Sequence, residues 1–267
     1  MQPTSQIKPI FFPILDNGAG HIRKRYLFSV LNSFGTQPIR AADIGDSHAG
    51  RARNRAAADF LLALDCDYLL FVDTDIQFNA QHIAWLMESR NPIQAGIYPK
   101  KQSPGFHPCL ATFPQTRELT PHVNVAVART GTGFLRVHRS VFESLKEQNG
   151  GPAEHYTNHG RDEWDFFKSG VANREWLSED WFFCEMARSL GIPTMVDPRI
   201  QVQHEGSVLF PQEAPQLELI AAARVAGGRP GATVEDVLRA LTGKTEPAPS
   251  TVSDSVIAER QEPALAA

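Results

Sequence analysis

The chain has 267 residues, of which 42% are hydrophobic and 21% charged, and its formal net charge is -4. This composition fits one large globular domain or one domain with an appendage. It excludes the overall basic field that drives non-specific nucleic-acid binding. Three widely spaced cysteines support neither a disulfide framework nor a zinc knuckle, so we predict a reducing, cytoplasmic location. No apolar run approaches the roughly 18 residues of a membrane helix, so we expect neither a secretion signal nor a membrane span.

Strand and helix patterns alternate over the first hundred residues. We predict strands over 7–15, 38–44, 68–72 and 93–97. Three helices are predicted between these strands. The first covers 21–34, the second extends from a cap at Ser47 to residue 64, and the third extends from a cap at Asn79 to Asn91. The segment 68–72 is apolar throughout, which is typical of a strand buried on both faces of a parallel sheet. The pattern predicts an α/β fold whose central, mostly parallel sheet is flanked by helices.

The second half predicts a smaller mixed or antiparallel extension, with strands over 106–113, 123–128 and 134–137. A short helix is predicted over 140–147, and 148–173 is interpreted as a long irregular loop with a functional role. Another helix follows from Ser178 to Leu190, and no aromatic residue follows Phe210. We therefore predict one domain over 1–210, a helical appendage over 211–243 and a disordered tail over 244–267.

Two aspartates follow the apolar segment 68–72. Asp73 and Asp75 are separated by one residue, and in an extended segment such side chains point the same way. Two carboxylates at the carboxyl end of a strand suit Mg²⁺ or Mn²⁺, which prefer oxygen ligands and share them with phosphates. The alternative is a turn in which aspartate bonds to nearby backbone.

Ser178, Glu179 and Asp180 begin the last predicted helix. A serine cap followed by acids is ordinary for a helix start. The functional alternative is that one carboxylate faces the cleft and takes a proton from an acceptor hydroxyl.

His204 shares the apolar face of a strand with Ile200 and Val202, so its ring is expected to point inward. It is either a packed core histidine or a further metal ligand. Gly131 and Gly133, between two predicted strands, permit a tight turn or a close approach of backbone to a ligand.

Together these segments resemble the GT-A fold glycosyltransferases, nearest to bacterial and phage members that look like family 2 and Anp1-type enzymes. The resemblance covers about residues 7–210. It rests on the order along the chain of Arg53-Asn54, Asp73-Thr74-Asp75, Tyr98-Pro99-Lys100-Lys101, Thr130-Gly131-Thr132-Gly133-Phe134, Leu177 to Cys184, and His204-Glu205-Gly206.

The resemblance implies transfer of a sugar from a UDP- or GDP-sugar to a hydroxyl acceptor, which is a glycan, a protein or a modified DNA base. Asp73, Asp75 and His204 would bind Mn²⁺ or Mg²⁺, which stabilises the departing nucleoside diphosphate as a Lewis acid. Transfer is expected to invert the configuration at the anomeric carbon, with Asp180 as the base and Glu179 binding the acceptor.

The nucleotide-sugar would be bound by residues drawn from the whole of the matching region. The predicted binding residues are Asp16, Asp43, Arg53, Asp73, Lys100 and Gly133.

Three alternatives remain. A nucleotidyltransferase also pairs carboxylates, and a Gly-rich segment followed by Arg23 and Lys24 is similar to its phosphate loop. A phosphatase of the haloacid-dehalogenase type would use Asp73 as a nucleophile but normally has Thr or Val where this chain has Gln77. A non-catalytic sugar-nucleotide-binding protein would keep the fold without turnover.

Overall fold

The computed structural model describes residues 7–16, 22–101, 107–116, 119, 123–206 and 209–210. The predictions for 211–243 and 244–267 lie outside this part of the chain. Within it, no helix combines the length and apolar character needed to cross a membrane.

Helices and strands alternate through the first hundred residues, and short strands dominate the rest. The first elements are β1 (Ile10–Asp16), α1 (Lys24–Ser33), β2 (Ile39–Gly45), α2 (Ala49–Leu62), β3 (Tyr68–Val72), β4 (Ile76–Gln77), α3 (Ala80–Glu88) and β5 (Ile93–Ile97). They are followed by β6 (Leu110–Thr112), β7 (Val125–Thr130), β8 (Phe134–His138), α4 (Arg139–Leu145), β9 (His155–Asn158), β10 (Arg161–Trp164), β11 (Gly170–Ala172), β12 (Glu175–Leu177), α5 (Glu179–Ser189), β13 (Thr194–Gln201), β14 (Gln203–Glu205) and β15 (Leu209–Phe210).

Eight strands form one sheet in the order β2-β1-β3-β8-β5-β13-β7-β6. β1 pairs in parallel with β2 and β3, and β13 pairs in parallel with β5. β8 runs antiparallel between β3 and β5, and β7 and β6 add an antiparallel margin. The predicted fold class is confirmed: a mostly parallel central sheet flanked by helices, with a smaller mixed extension.

Side chains of β1 and β3 alternate between two hydrophobic cores, one on each face of the sheet. Phe11 and Phe71 belong to the core that includes α2, α4 and α5. Phe12 and Val72 belong to the core that includes residues of α1 and α3. Because successive strand residues face opposite sides, a strand covered on both faces needs apolar residues at every position. This explains the uninterrupted apolar run of β3.

The segment 148–173 was predicted as an irregular loop, and this prediction is wrong. It contains the β9–β10 hairpin and the first strand of the β11–β12 hairpin. Each has a two-residue turn, His159-Gly160 and Asn173-Arg174, with positive φ at both positions, as in type I′ turns. The strands are short and mostly polar, so hydrophobic alternation gives no signal for them.

The first helix begins at Lys24 rather than at residue 21, and one predicted helix cap also differs from the observed one. α2 is capped by His48 rather than Ser47, and the His48 side chain accepts a hydrogen bond from the backbone N–H of Arg51. α3 is capped by Asn79 as predicted, and His82 completes a reciprocal pair of capping hydrogen bonds. These caps fix the helix ends that border the sheet edge described next.

Candidate active site

A cavity of about 240 Å³ opens where β1, β2 and β3 end. Parallel strands bring their carboxyl ends to one edge of a sheet, which is where ligands bind in open α/β folds. The cavity is lined by Leu15, Asp16, Asp46, Ser47, Ala49, Ala52, Arg53, Asp73, Thr74 and Asp75.

Asp73 and Asp75 line the cavity together, but a turn brings them there rather than the extended segment that was expected. The turn is closed by a hydrogen bond of 2.9 Å from the Ile76 N–H to the Asp73 carbonyl. Asp73 N–H also donates to the Gly133 carbonyl, at 3.1 Å. Both carboxylates pair with side chains from other elements. The turn therefore positions the two carboxylates, and they pair with side chains of other elements. In the alternative considered above, they would instead bond to nearby backbone N–H groups.

Arg53 links three of the predicted site elements. Its guanidinium, on α2, is buried and lies 2.9 Å from the Asp73 carboxylate and 2.8 Å from that of Glu179 at the start of α5. Burial opposes the charge, yet Asp73 and Glu179 keep the pKa of Arg53 above its ordinary value. Its Nε is buried without a hydrogen-bond partner. The arginine thus holds the Asp73 turn and α5 in a fixed relation.

His204 reaches Asp75 because β14 pairs with β4, which places His204 opposite Ile76. Its Nδ1 lies 2.7 Å from the Pro99 carbonyl, and its Nε2 lies 3.2 Å from Asp75 Oδ1. Lys101 pairs with the second Asp75 oxygen. Burial alone would raise the pKa of Asp75, but His204 and Lys101 lower it to about 2.

Of the three predicted metal ligands, Asp75 and His204 lie close together, whereas Asp73 is paired with an arginine. Asp73 contacts Arg53, and no group of three His, Cys, Asp or Glu side chains suited to a metal forms within the described residues. Asp75 Oδ1, however, is buried without a hydrogen-bond partner, because the His204 Nε2 contact lacks hydrogen-bond geometry. The Pro99 carbonyl accepts from Nδ1 and so turns Nε2 toward Asp75 Oδ1, which is the arrangement of a metal-binding histidine. Asp75 and His204 therefore fit a divalent cation.

Asp180 lies in the first turn of α5 with one carboxylate oxygen fixed. Oδ1 accepts from the Ser178 hydroxyl and, at 2.8 Å, from the Trp181 N–H. Ser178 makes no capping hydrogen bond to the helix backbone, so its hydroxyl serves the carboxylate instead. Burial raises the pKa of Asp180, and the Ser178 hydroxyl offsets part of that rise. A fixed carboxylate with a raised pKa is a stronger base than an exposed one.

Gly131 and Gly133 border the phenol ring of Tyr98. A Cβ at Gly131 would lie 2.0 Å from the Tyr98 hydroxyl, and one at Gly133 would lie 2.7 Å from the ring. Gly133 N–H donates to the Tyr98 hydroxyl at 2.9 Å. The glycines therefore allow a close approach of backbone to the Tyr98 side chain, and a role of Gly133 in binding the nucleotide-sugar stays a prediction.

Lys100 and Lys101 have different positions. Lys101 pairs with Asp75, whereas the Lys100 ammonium lies 5.3 Å from the centre of the Trp181 ring. Trp181 follows Asp180, so Lys100 borders the candidate base rather than the Asp73 turn. The resemblance suggested Lys100, and the structure adds Lys101, which the same motif contains.

Asp16 lines the cavity as predicted, but Asp43 does not. Asp43 is exposed within β2, whereas Asp46, just past the end of that strand, lines the cavity. Asp46 pairs with Arg51 at 2.6 Å. The sequence signal for Asp46 is its position: ligands gather after the carboxyl end of a strand rather than within it.

No family model matches the chain, and no curated protein matches it. Among solved structures it is similar to A197 from STIV, with 17% identity, 78% of this chain and 95% of that chain covered, and a TM-score of 0.48. It is also similar to TarS from S. aureus, with 11% identity, 87% of this chain and 42% of that chain covered, and a TM-score of 0.40. The chain thus matches less than half of the length of TarS. Likenesses this distant carry no argument about activity.

Proposed function

We propose that this chain is a glycosyltransferase that moves a sugar from a nucleotide diphosphate-sugar to a hydroxyl acceptor. One observation carries the proposal: Arg53 joins Asp73, in the cavity at the strand ends, to Glu179, whose neighbour Asp180 has a raised pKa. The cavity at the strand ends and a candidate base are thereby held together across one buried arginine. Sugar transfer needs both, since a leaving diphosphate and an incoming hydroxyl must meet at one carbon.

The donor would occupy the cavity lined by Asp16, Asp46 and Asp73. Carboxylates accept hydrogen bonds from the hydroxyls of a ribose and from the N–H groups of a base. Asp75 and His204 would hold Mn²⁺ or Mg²⁺ beside the diphosphate, and the ion would neutralise charge on the leaving group. Arg53, whose buried Nε has no partner, lies in the same wall and fixes the position of the Asp73 carboxylate.

Asp180 would act as the base of an inverting transfer. Ser178 and Trp181 fix Oδ1, and Oδ2 has no hydrogen-bond partner among the described residues. As the acceptor oxygen bonds to the anomeric carbon, the bond from that carbon to the diphosphate breaks and the acceptor proton passes to Oδ2. Inversion follows when acceptor and diphosphate lie on opposite faces of the sugar.

The alternatives receive less support from the geometry. A phosphatase nucleophile must be free to attack, and the Asp73 carboxylate is paired with Arg53. The Gly-rich segment expected of a nucleotidyltransferase covers 16–20, and apart from Asp16 it lies outside the described residues. A non-catalytic binding protein has no need of the fixed carboxylate of raised pKa that Asp180 presents.

The test is turnover of a panel of UDP- and GDP-sugars in the presence of Mn²⁺, with release of nucleoside diphosphate as the readout. We expect one donor to be used, and Asp180→Asn to bind it normally while losing activity by about a hundredfold or more. Asp67→Asn, the same change at an exposed ion pair, is the control and should keep full activity.

Full activity in Asp180→Asn would remove that residue from the mechanism. Release of pyrophosphate from a nucleoside triphosphate would favour a nucleotidyltransferase instead. Release of inorganic phosphate from a phosphoester would favour a phosphatase.

A further inference from the structure

A second, larger cavity of about 760 Å³ lies beside the first turns of α2, and we call it the hairpin groove. The donor cavity includes Ala49, Ala52 and Arg53, whereas the hairpin groove includes Arg51 and Asn54 from the same helix. The remaining wall comes from His48 and from the β9–β12 region. The two cavities thus share α2 as a common wall, and the proposed donor chemistry does not use the groove.

The hairpin groove lies close to the start of α5, because Trp176 in its wall precedes Glu179 by three residues. At Gly50, an added Cβ would lie 2.4 Å from the Phe167 carbonyl and 3.5 Å from the Glu179 Cβ. Phe167 lines the groove, and Glu179 adjoins Asp180. A molecule in the groove would therefore lie beside the start of the helix that carries the proposed base.

One wall of the groove is an exposed indole. Trp176, on β12, is 69% exposed, although tryptophan is usually well buried. It lies in the strand that leads directly into Ser178 and α5. Its cross-strand neighbour Val171 is 70% exposed but does not line the groove. An aromatic ring facing an open groove is a stacking surface for another flat or apolar face.

The charges of the groove are balanced. Arg51 pairs with Asp46, and the Lys168 ammonium lies 3.4 Å from the Glu154 carboxylate. Asp165 accepts a hydrogen bond of 2.9 Å from the Asn54 amide. A polyanion would need unpaired cations along its path, and the paired charges supply none. Hydroxyl groups, in contrast, can both donate to carboxylates and accept from amides and ammonium groups.

We propose that the hairpin groove binds a neutral oligosaccharide, with one sugar ring stacked on Trp176 and its hydroxyls hydrogen-bonded to Asp165 and Lys168. The proposal rests on the proposed glycosyl transfer, for which this oligosaccharide is the acceptor. It identifies the acceptor class as a neutral glycan, in preference to a modified DNA base or a protein.

The test is calorimetric titration of the full chain with cellotetraose, maltotetraose and chitotetraose, and with a single-stranded oligonucleotide as the polyanionic probe. We expect a tetrasaccharide to bind, Trp176→Ala to weaken that binding about tenfold or more, and Val171→Ala to leave it unchanged. Trp176→Phe should keep part of the affinity because it retains an aromatic face. Thermal denaturation of each variant checks that the fold is intact.

Nucleotide binding measured on the same samples separates the two proposals. Donor binding without tetrasaccharide binding, or equal binding by Trp176→Ala, would overturn the glycan site and leave the proposed function standing. Trp176-dependent tetrasaccharide binding without any nucleotide binding would support the groove and overturn the transferase. Tight binding of the oligonucleotide instead would overturn the assignment of a neutral ligand.

Discussion

Arg53 lies on the buried side of α2, with its guanidinium between the carboxylates of Asp73 and Glu179. These carboxylates come from a turn after β3 and from the first turn of α5, which are distant in sequence. An ion-pair network with a buried cation is costly to break, because removal of the cation leaves the two carboxylates without a compensating charge.

We expect Arg53→Gln to lower the free energy of unfolding by about 2 kcal/mol, since both partners keep some solvent exposure. Urea denaturation measures this change. Arg51→Gln, at an exposed ion pair two residues earlier on the same helix, should cost much less. Equal costs for the two variants would contradict the central position assigned to Arg53.

Several site residues could be predicted before the structure was known, and the reason differs among them. Asp73 and Asp75 follow an apolar strand, so position alone marks them. His204 could not be assigned to Asp75 by local pattern, because their contact depends on the pairing of β14 with β4. Lys101 was not predicted for the same kind of reason: which of two adjacent lysines turns to Asp75 is a tertiary fact.

At the scale of elements, α2 is fixed at its far end by Arg139. The Arg139 guanidinium donates to the carbonyls of Phe60, Leu61, Ala63 and Cys66, at and just beyond the last turn of the helix. The carbonyls of Phe60 and Ala63 also accept backbone N–H groups, so Arg139 adds to the capping of this helix end, where a cation also interacts favourably with the helix dipole. Arg139 thereby stabilises the helix that carries Arg53.

We expect Arg139→Ala to lower the free energy of unfolding by about 3 kcal/mol, because several charge-assisted hydrogen bonds are lost together. The measurement is urea denaturation at neutral pH. Arg40→Ala removes an exposed partner of Asp65 and should change stability by less than about 1 kcal/mol. A loss no larger in Arg139→Ala than in this control would show that α2 does not depend on the cap.

Helices and strands could be predicted where packing against a hydrophobic core requires a pattern of apolar residues. Strands outside the core lack this pattern and could not be predicted. β3 has apolar residues throughout because both of its faces are covered, and α3 has a clear capping residue in Asn79. The strands of the β9–β10 and β11–β12 hairpins are short, and turn geometry rather than hydrophobic alternation defines them. These hairpins line the groove proposed for the acceptor.

For the molecule as a whole, buried His82 makes stability depend on pH. It lies on α3 and is 6% exposed, and burial lowers its pKa from 6.5 to about 4. Between these values the unfolded chain binds a proton that the folded chain does not. The contribution of neutral His82 to the free energy of unfolding is therefore fully present above about pH 6.5 and is lost as the pH is lowered toward 4.

Between pH 7 and pH 5 we expect His82 alone to reduce the free energy of unfolding by about 2 kcal/mol. His82→Gln keeps a capping side chain and should remove that part of the pH dependence in urea denaturation. His159→Asn, at an exposed turn position, should leave it unchanged. The same pH dependence in His82→Gln and in the native chain would contradict a neutral, buried His82.

For the whole sheet, the fold class could be predicted from the sequence but the strand order could not. Alternating strands and helices imply a parallel sheet with helices on both faces. The insertion of β8 between β3 and β5 is a pairing between segments far apart in sequence, and no local pattern specifies it. This insertion also brings Gly133 to the Asp73 turn, so part of the site depends on a feature that sequence periodicity cannot reveal.

The central claim is that a nucleotide diphosphate binds at the strand ends together with a divalent cation. Its most direct test is the thermal stability of the protein with UDP, GDP and their sugars, with and without Mn²⁺, in the native chain and in Asp75→Ala. At a hundredfold excess over Kd, a ligand specific for the folded state stabilises it by about 2.7 kcal/mol. We predict such a shift for one nucleotide, dependent on Mn²⁺ and absent in Asp75→Ala. No shift with any nucleotide, or an equal shift in Asp75→Ala, would contradict the account.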